Sequence, residues 1–106
     1  MEFYTKVAGI TFEGREELVE ELYEDGELDV GQQLILERRP DNPFDSNAVA
    51  VVHPSGATLG FIPKEKAAIM SPKMYRGTHY TAEVTAVTGG SGYDSHYGIN
   101  LLIKEI

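Results

Sequence analysis

Three phenylalanines lie where the sequence predicts strand ends, and this residue type can stack on nucleobases. Phe12, Phe44 and Phe61 are each close to a glycine or a proline. The core is the usual place for phenylalanine. Rings at strand ends can instead meet on one rim, where each stacked base contributes roughly 1–3 kcal/mol. Cations that would meet phosphates are near these rings in the sequence, at Arg38, Arg39, Lys64 and Lys66.

The segment between Arg38 and Val51 is a second candidate for chemistry. Its residues 40–47 include two prolines, two aspartates, two asparagines and Phe44. Proline fixes φ and removes a donor, while Asp and Asn close local turns. We therefore expect a rigid loop that presents a ring beside a carboxylate and amides. A calcium loop does not fit, because its third and sixth positions, counted from Asp41, would be proline and serine.

Patterns for catalysis or metal binding are weak. Gly89-Gly90-Ser91-Gly92 lacks both the Lys-Ser/Thr pair and the following helix of a phosphate-binding loop, so we expect a hairpin loop. The histidines have no metal-site spacing, and His96 with Asp94 would need a third ligand. We predict no enzymatic activity, no cofactor and no metal site. A small metal-dependent hydrolase that uses His96 is the least favoured alternative.

Length and charge restrict the class of protein. The 106 residues suit a single domain, 1–106. Cysteine is absent, and no segment resembles a signal peptide or a membrane span, so we expect a cytoplasmic protein without a membrane partner. The net charge of −8 argues against non-specific coating of nucleic acid, but it permits a small positive site. Much of the acidity falls in residues 13–27, which we expect to include a solvated helix face.

Periodicity predicts six strands and two helices. Helices are predicted at 15–25, ended by Gly26, and at 64–70, opened by Pro63 and closed by Ser71-Pro72. Strands are predicted at 2–12, 28–37, 47–53, 57–62, 78–88 and 97–106. Gly9 indicates a bulge or a close backbone approach within the first strand. Short connections without a βαβ repeat favour a small, mostly antiparallel barrel or sandwich with inserted helices.

Two of these strands have a clear alternation of side chains. In the strand at 78–88, the even-numbered residues from Tyr80 to Thr88 are expected to share one face. In the last strand, Ile99, Leu101 and Ile103 are expected to share one face, which is wholly apolar. The second pattern is typical of a strand with one buried side.

Three motifs together resemble a known family. They are Val7-Ala8-Gly9-Ile10-Thr11-Phe12, then Arg39-Pro40-Asp41-Asn42-Pro43-Phe44-Asp45-Ser46-Asn47-Ala48-Val49-Ala50-Val51, and then Leu59-Gly60-Phe61-Ile62-Pro63-Lys64-Glu65. Their order and spacing resemble those of a HIRAN domain, over nearly the whole chain. The resemblance implies a mainly β fold, a small six-stranded OB-like barrel with two short inserted helices. It indicates a stand-alone HIRAN domain.

The resemblance also implies a function, the recognition of single-stranded DNA and particularly of its 3′ end, as in HIRAN domains of DNA-repair ATPases. Carried to this chain, Phe12 and Phe44 would stack on bases, and Lys64 would hold a phosphate. Asp45 would meet the terminal hydroxyl, while Asn42 would brace the loop or contact the strand. A carboxylate repels an internal phosphate but accepts a hydrogen bond from a free hydroxyl, so it favours strand ends.

Two predicted binding positions depart from the family pattern. Thr11 replaces a basic residue of some DNA-binding members, and Phe61 replaces a polar ring.

We predict a nucleic-acid-binding module that serves a helicase, a nuclease or another DNA-processing protein. The alternative is a protein-interaction or regulatory module that has kept the fold but lost DNA affinity. In that case the acidic helix at 15–25 would dock a basic partner.

Overall fold

The computed structural model describes residues 1–12, 14–89 and 96–106. In these residues six strands and two helices follow one another in the predicted order. They are β1 (Glu2–Lys6), α1 (Arg15–Glu24), β2 (Gln33–Arg38), β3 (Val49–Val52), β4 (Thr58–Phe61), α2 (Lys64–Tyr75), β5 (Tyr80–Thr88) and β6 (Gly98–Glu105).

The strands form one antiparallel sheet in the order β1-β6-β5-β2-β3-β4. Its two edges meet where Ala8, just after β1, pairs with Phe61 at the end of β4. The Ala8 N–H donates to the Phe61 carbonyl at 2.7 Å, and the Phe61 N–H donates to the Ala8 carbonyl at 2.8 Å. This pairing joins the edges of a curled half-barrel. The mainly β prediction is confirmed.

The core lies inside the curve of the sheet. Strand β6 contributes Ile99, Leu101 and Ile103, all fully buried, so the predicted apolar face is confirmed. Helix α1 buries Val19 and Leu22, and helix α2 buries Ala67 and Met70. Burial of this apolar surface is the dominant favourable contribution to folding.

Helix α2 is longer than the sequence predicts. The prediction of an end at Ser71-Pro72 is wrong, because the helix continues through Pro72 to Tyr75. Proline inside a helix removes one hydrogen bond and crowds the preceding turn. Packing compensates here: Met70 and Ser71 are buried, and the Ser71 hydroxyl accepts a hydrogen bond from Arg38 Nε at 3.1 Å.

Two predicted strands begin or end at the wrong residue. Strand β1 ends at Lys6, well short of residue 12, because the chain turns at Gly9 with a φ of 75°. Strand β2 begins at Gln33, and residues 28–32 lie outside it. A turn occupies this stretch, since the Gln32 N–H donates to the Asp29 carbonyl at 3.0 Å.

The predicted alternation of β5 holds only for its first half. Ala82 and Val84 are buried, as expected for one face. The pairing with β6 shifts between Val84 and Ala86, and beyond this point Val87 packs against the core. A bulge adds one residue to a strand and so reverses the faces that follow it. The prediction that Ala86 and Thr88 share the face of Val84 is therefore wrong.

Among the described residues, neither helix is long and apolar enough to cross a lipid bilayer.

Candidate nucleic-acid interface

The Pro/Asp/Asn loop is braced by its own side chains. Asn42 Oδ1 accepts hydrogen bonds from the backbone N–H groups of Phe44 at 2.9 Å and Asp45 at 3.2 Å. Asp45 Oδ1 accepts from the backbone N–H two residues further on, at 2.9 Å. At the base of the loop, the Arg39 N–H donates to the Ala48 carbonyl at 2.8 Å. These are the local turns that Asn and Asp favour, so the loop is held in one shape from within.

Two aromatic rings face solvent at this end of the sheet. Phe44, at the tip of the braced loop, is 91% exposed, and Phe12, after the turn at Gly9, is 66% exposed. A phenylalanine side chain kept in water forgoes roughly 1.5–3 kcal/mol of burial free energy. Both rings therefore lie outside the core, where a ligand can reach their faces.

The closure of the sheet brings β4 beside these rings. A Cβ on Gly60 would lie 2.4 Å from the Ala8 carbonyl oxygen and 2.5 Å from Val7 Cγ1, so only glycine permits this approach. Gly9 adopts a left-handed backbone, which glycine tolerates. Its carbonyl accepts a hydrogen bond from Arg15 Nη1 at 2.8 Å. The sequence predicted a bulge or a close backbone approach at Gly9, but this glycine forms a turn after β1, and the close approach is made at Gly60.

Two arginines lie against the same surface. The guanidinium carbon of Arg15 lies 5.0 Å from the centroid of the Phe61 ring, a cation–π arrangement. Arg39 donates from Nη2 to the Thr58 hydroxyl at 3.2 Å and from Nε to Glu37 at 3.0 Å. Sequence reasoning placed Arg15 only at the start of an acidic helix. The sequence feature that could have indicated a role for Arg15 at the site is its position three residues after Phe12.

These side chains line a groove of about 600 Å³, which we call the aromatic groove. Its lining residues are Phe12, Arg15, Arg39, Asn42, Pro43, Phe44 and Phe61. Asn42, Phe44 and Phe61 also line an adjoining depression of about 310 Å³, together with Asp45 and Lys64. The two spaces thus contain three cationic side chains and one carboxylate. The site is locally positive on a chain whose net charge is −8.

Comparison with known proteins identifies the family. The family model described as HIRAN domain matches residues 1–101. The chain belongs to the HIRAN domain family. The three motifs that indicated this family lie within the matched range, and each of them contributes residues to the lining of the aromatic groove.

Two solved structures are similar to this HIRAN domain. The HIRAN domain of human HLTF is 19% identical with a TM-score of 0.69, and the match covers 98% of this chain and 74% of that one. A protein from Lactobacillus plantarum is 22% identical with a TM-score of 0.64, and the match covers 97% of each chain. At these identities the likeness shows the fold, which confirms the OB-like prediction. A search of curated proteins found no match.

Six of the seven residues predicted for binding by this HIRAN domain come together. Phe12, Asn42, Phe44 and Phe61 line the aromatic groove, while Asp45 and Lys64 line the adjoining depression with three of them. Thr11 is exposed beside Phe12 but is not among the residues that line either space. Its placement gives no contact with the groove.

Two of the four cations that the sequence associated with the rings lie elsewhere. Lys66 Nζ is 5.0 Å from the centroid of the Phe3 ring, and both residues line a separate pocket. The Arg38 guanidinium is 5.0 Å from the centroid of the Tyr75 ring and also binds Ser71. Lys66 therefore packs against β1 and Arg38 against α2. Of these four cations, Arg39 lines the aromatic groove and Lys64 lines the adjoining depression.

Two of the three histidines have side-chain contacts within the protein. His53 is buried, with Nε2 at 2.6 Å from the Glu27 carbonyl and Nδ1 at 2.9 Å from the Ser55 hydroxyl. His96 Nδ1 lies 2.8 Å from a Glu16 carboxylate oxygen. Residues 1–12, 14–89 and 96–106 bring together no group of three metal-binding side chains. Asp94 and residues 90–92 of the predicted glycine-rich loop lie outside the described residues.

Proposed function

We propose that this HIRAN domain binds single-stranded DNA in the aromatic groove, captures its 3′ end, and has no catalytic activity of its own. The observation that carries the proposal is the position of Phe44. The ring is 91% exposed, yet its loop is fixed by the Asn42 and Asp45 side chains. A rigid, solvent-facing aromatic ring gives up less entropy on binding than a mobile one.

The groove offers each group of a single strand a suitable partner. Phe12 and Phe44 present ring faces on which bases of any sequence can stack. Arg15, Arg39 and Lys64 supply charge for phosphates, and their small number suits a short strand segment better than a long duplex. The family resemblance supports DNA as the nucleic acid, and it implies a DNA-processing protein, such as a helicase or nuclease in repair, as the partner in the cell.

Asp45 is the residue proposed to read the strand end. One of its carboxylate oxygens accepts the N–H of Asn47, and none of the described residues donates to the second oxygen. A terminal 3′ hydroxyl can donate a hydrogen bond to that oxygen, and bonds to a charged acceptor are strong. A 3′ phosphate would instead bring like charge to the carboxylate. Lys64 lines the same depression and would hold the preceding phosphate.

Binding is tested with a short labelled oligo-dT that carries a free 3′ hydroxyl, by fluorescence anisotropy at low salt. Replacement of Phe44 by alanine should remove one stacking interaction of roughly 1–3 kcal/mol, which weakens Kd by about 5- to 150-fold. The matched control is Tyr4→Ala, an aromatic residue that is 73% exposed on β1. Equal affinity of the Phe44→Ala variant and the wild type would refute stacking at this ring.

End recognition is tested with the same oligonucleotide carrying a 3′ phosphate. The wild type should prefer the free hydroxyl by roughly tenfold or more, the scale of a hydrogen bond to a charged group. Asp45→Asn is the matched variant, because its amide oxygen can still accept the loop N–H while the charge is gone. The preference should shrink in this variant without loss of thermal stability. Equal binding of both oligonucleotides to the wild type would disprove the end-reading role.

If the wild type does not bind oligo-dT at high protein concentration, the result favours the alternative, a protein-interaction module. The acidic face of α1, with Glu17, Glu20 and Glu21 exposed, is then the first surface to test by charge reversal. Association that survives Phe44→Ala but is lost on charge reversal would establish that function.

A further inference from the structure

A third depression adjoins the aromatic groove on the side of helix α1. It has a volume of about 370 Å³ and is lined by Gly14, Arg15, Leu18, Arg39, Thr58 and Phe61. Arg15, Arg39 and Phe61 line both this depression and the aromatic groove. Asp45 and Lys64, by contrast, line the depression of about 310 Å³ that adjoins the aromatic groove. The aromatic groove therefore connects two spaces with different charged groups.

The two arginines are held in place by neighbouring groups. Arg15 uses Nη1 to bind the Gly9 carbonyl, and its planar group lies over the Phe61 ring. A Cβ at Gly9 would lie 3.4 Å from Arg15 Nη1, so the glycine also leaves room for the guanidinium. Arg39 is held by Thr58 and by the partly exposed Glu37. A guanidinium has five N–H donors in a fork that matches phosphate oxygens.

We propose that Arg15 and Arg39 form a phosphate subsite for nucleotides on the 5′ side of the stacked bases. The inference rests on the proposed function and adds the direction of the strand to it. The 3′ end lies at Asp45 and Lys64, the bases cross Phe12 and Phe44, and the backbone leaves between the two arginines toward Leu18 and Thr58. Phe61 has a supporting role in this arrangement, because Arg15 lies over its ring and presents the charged group.

Charge placement favours a phosphate at this point. The chain has 9 Lys and Arg residues against 17 Asp and Glu residues, yet two arginines adjoin one space here. Glu37 reaches Arg39 through an exposed ion pair, and such pairs contribute little to stability. A phosphate can therefore replace Glu37 as the partner of Arg39 at small cost.

The test measures Kd for a length series of oligo-dT with free 3′ hydroxyls, at several salt concentrations. For the wild type, affinity should rise as the strand grows long enough to pass from Lys64 to the two arginines. Arg15→Gln and Arg39→Gln should each remove that gain, so that the loss of affinity is larger for long strands than for the shortest ones. Each should also reduce the steepness of log K against log salt by about 0.7, so that its affinity relative to the wild type falls about fivefold for each tenfold decrease in salt.

The control is Arg76→Gln, which removes an equal charge from an exposed residue that lines neither groove nor depression. It should leave both the length dependence and the salt slope close to those of the wild type. Arg15→Lys should restore the slope but not the full affinity, because lysine keeps the charge without the fork. Thermal melting of each variant shows whether Arg15→Gln still folds, and Arg39→Gln provides a second readout if it does not.

The outcomes separate the subsite from the function. Wild-type binding with an unchanged length series and slope in both glutamine variants would overturn the subsite and leave the proposed function standing. A loss equal in all three Arg→Gln variants, including Arg76→Gln, would also overturn it, since general electrostatics would explain the effect. Absence of wild-type binding would overturn the proposed function, and the subsite with it.

Discussion

Asn42 provides the sharpest test of the idea that a pre-formed loop makes this site. Its side-chain oxygen accepts two backbone N–H groups, from Phe44 at 2.9 Å and from Asp45 at 3.2 Å. The change to alanine removes both hydrogen bonds without removing any ring or charge from the groove. The loop should then sample other shapes, and both stability and affinity should fall.

The size of the effect follows from the two bonds. A net hydrogen bond contributes about 0.5–1.5 kcal/mol, and the exposed N–H of Phe44 can turn to water, which places its share at the low end. The sum is about 1–2 kcal/mol, which lowers Tm by about 4–16 °C in a domain of this size. If the loop opens locally, the same free energy reduces the binding-competent fraction and weakens Kd by up to about 5- to 30-fold.

The assays are thermal melting and oligo-dT anisotropy on Asn42→Ala and Asn42→Asp. Aspartate keeps an oxygen acceptor at the same place, so its Tm should stay close to that of the wild type, while its added charge weakens DNA binding at low salt. A Tm for Asn42→Ala within about 2 °C of the wild type would contradict the bracing argument. If that variant also lost affinity, a direct contact of Asn42 with the strand would be the better explanation.

Two further predictions concern stability. Gly60→Ala should lower the free energy of unfolding by about 2–6 kcal/mol in urea denaturation, because its Cβ overpacks against Ala8 and disrupts the two hydrogen bonds that join the sheet edges. The control is Gly31→Ala, which has open space around a φ of 93° and should lose only about 1–2 kcal/mol. Equal losses in the two variants would show that the closure of the sheet is unimportant for stability. The hydrogen bond with Lys73 lowers the pKa of Glu105, so this carboxylate stabilises the fold above its unfolded pKa and that contribution is lost as pH falls through the folded value. The Tm difference between wild type and Glu105→Gln should therefore be present at pH 7 and vanish in acid, and a difference that persists at pH 2 would contradict the assignment.

The sequence predicted those parts of the fold that depend on local chemistry. The braced loop was predictable because Asn and Asp at these positions close turns with their own backbone. The apolar face of β6 was predictable because Ile99, Leu101 and Ile103 alternate without interruption. The family motifs then indicated six residues that the structure places around one groove and its continuation.

The features that were mispredicted or missed depend on contacts between segments distant in sequence. Helix α2 passes Pro72 because Ser71 is buried and bound by Arg38 from β2, which no local pattern reveals. The bulge in β5 is set by its register against β6. Arg15 reaches the groove only because the turn at Gly9 and the closure of the sheet bring it over the Phe61 ring. Periodicity along a single segment contains none of this information.

The acidic net charge of the chain is compatible with the proposed DNA ligand, because charges far from the groove are screened by salt. At 0.1 M ionic strength, charges separated by more than about 10 Å in solvent are largely screened from each other. A strand in the groove would then respond mainly to Arg15, Arg39, Lys64 and Asp45, which line the connected spaces. With three cations, the salt slope for a single strand should be near −2. Under the proposed function, such a surface would favour a strand end, where bases and phosphates can meet the rings and the charges together, over the uniform backbone of a duplex.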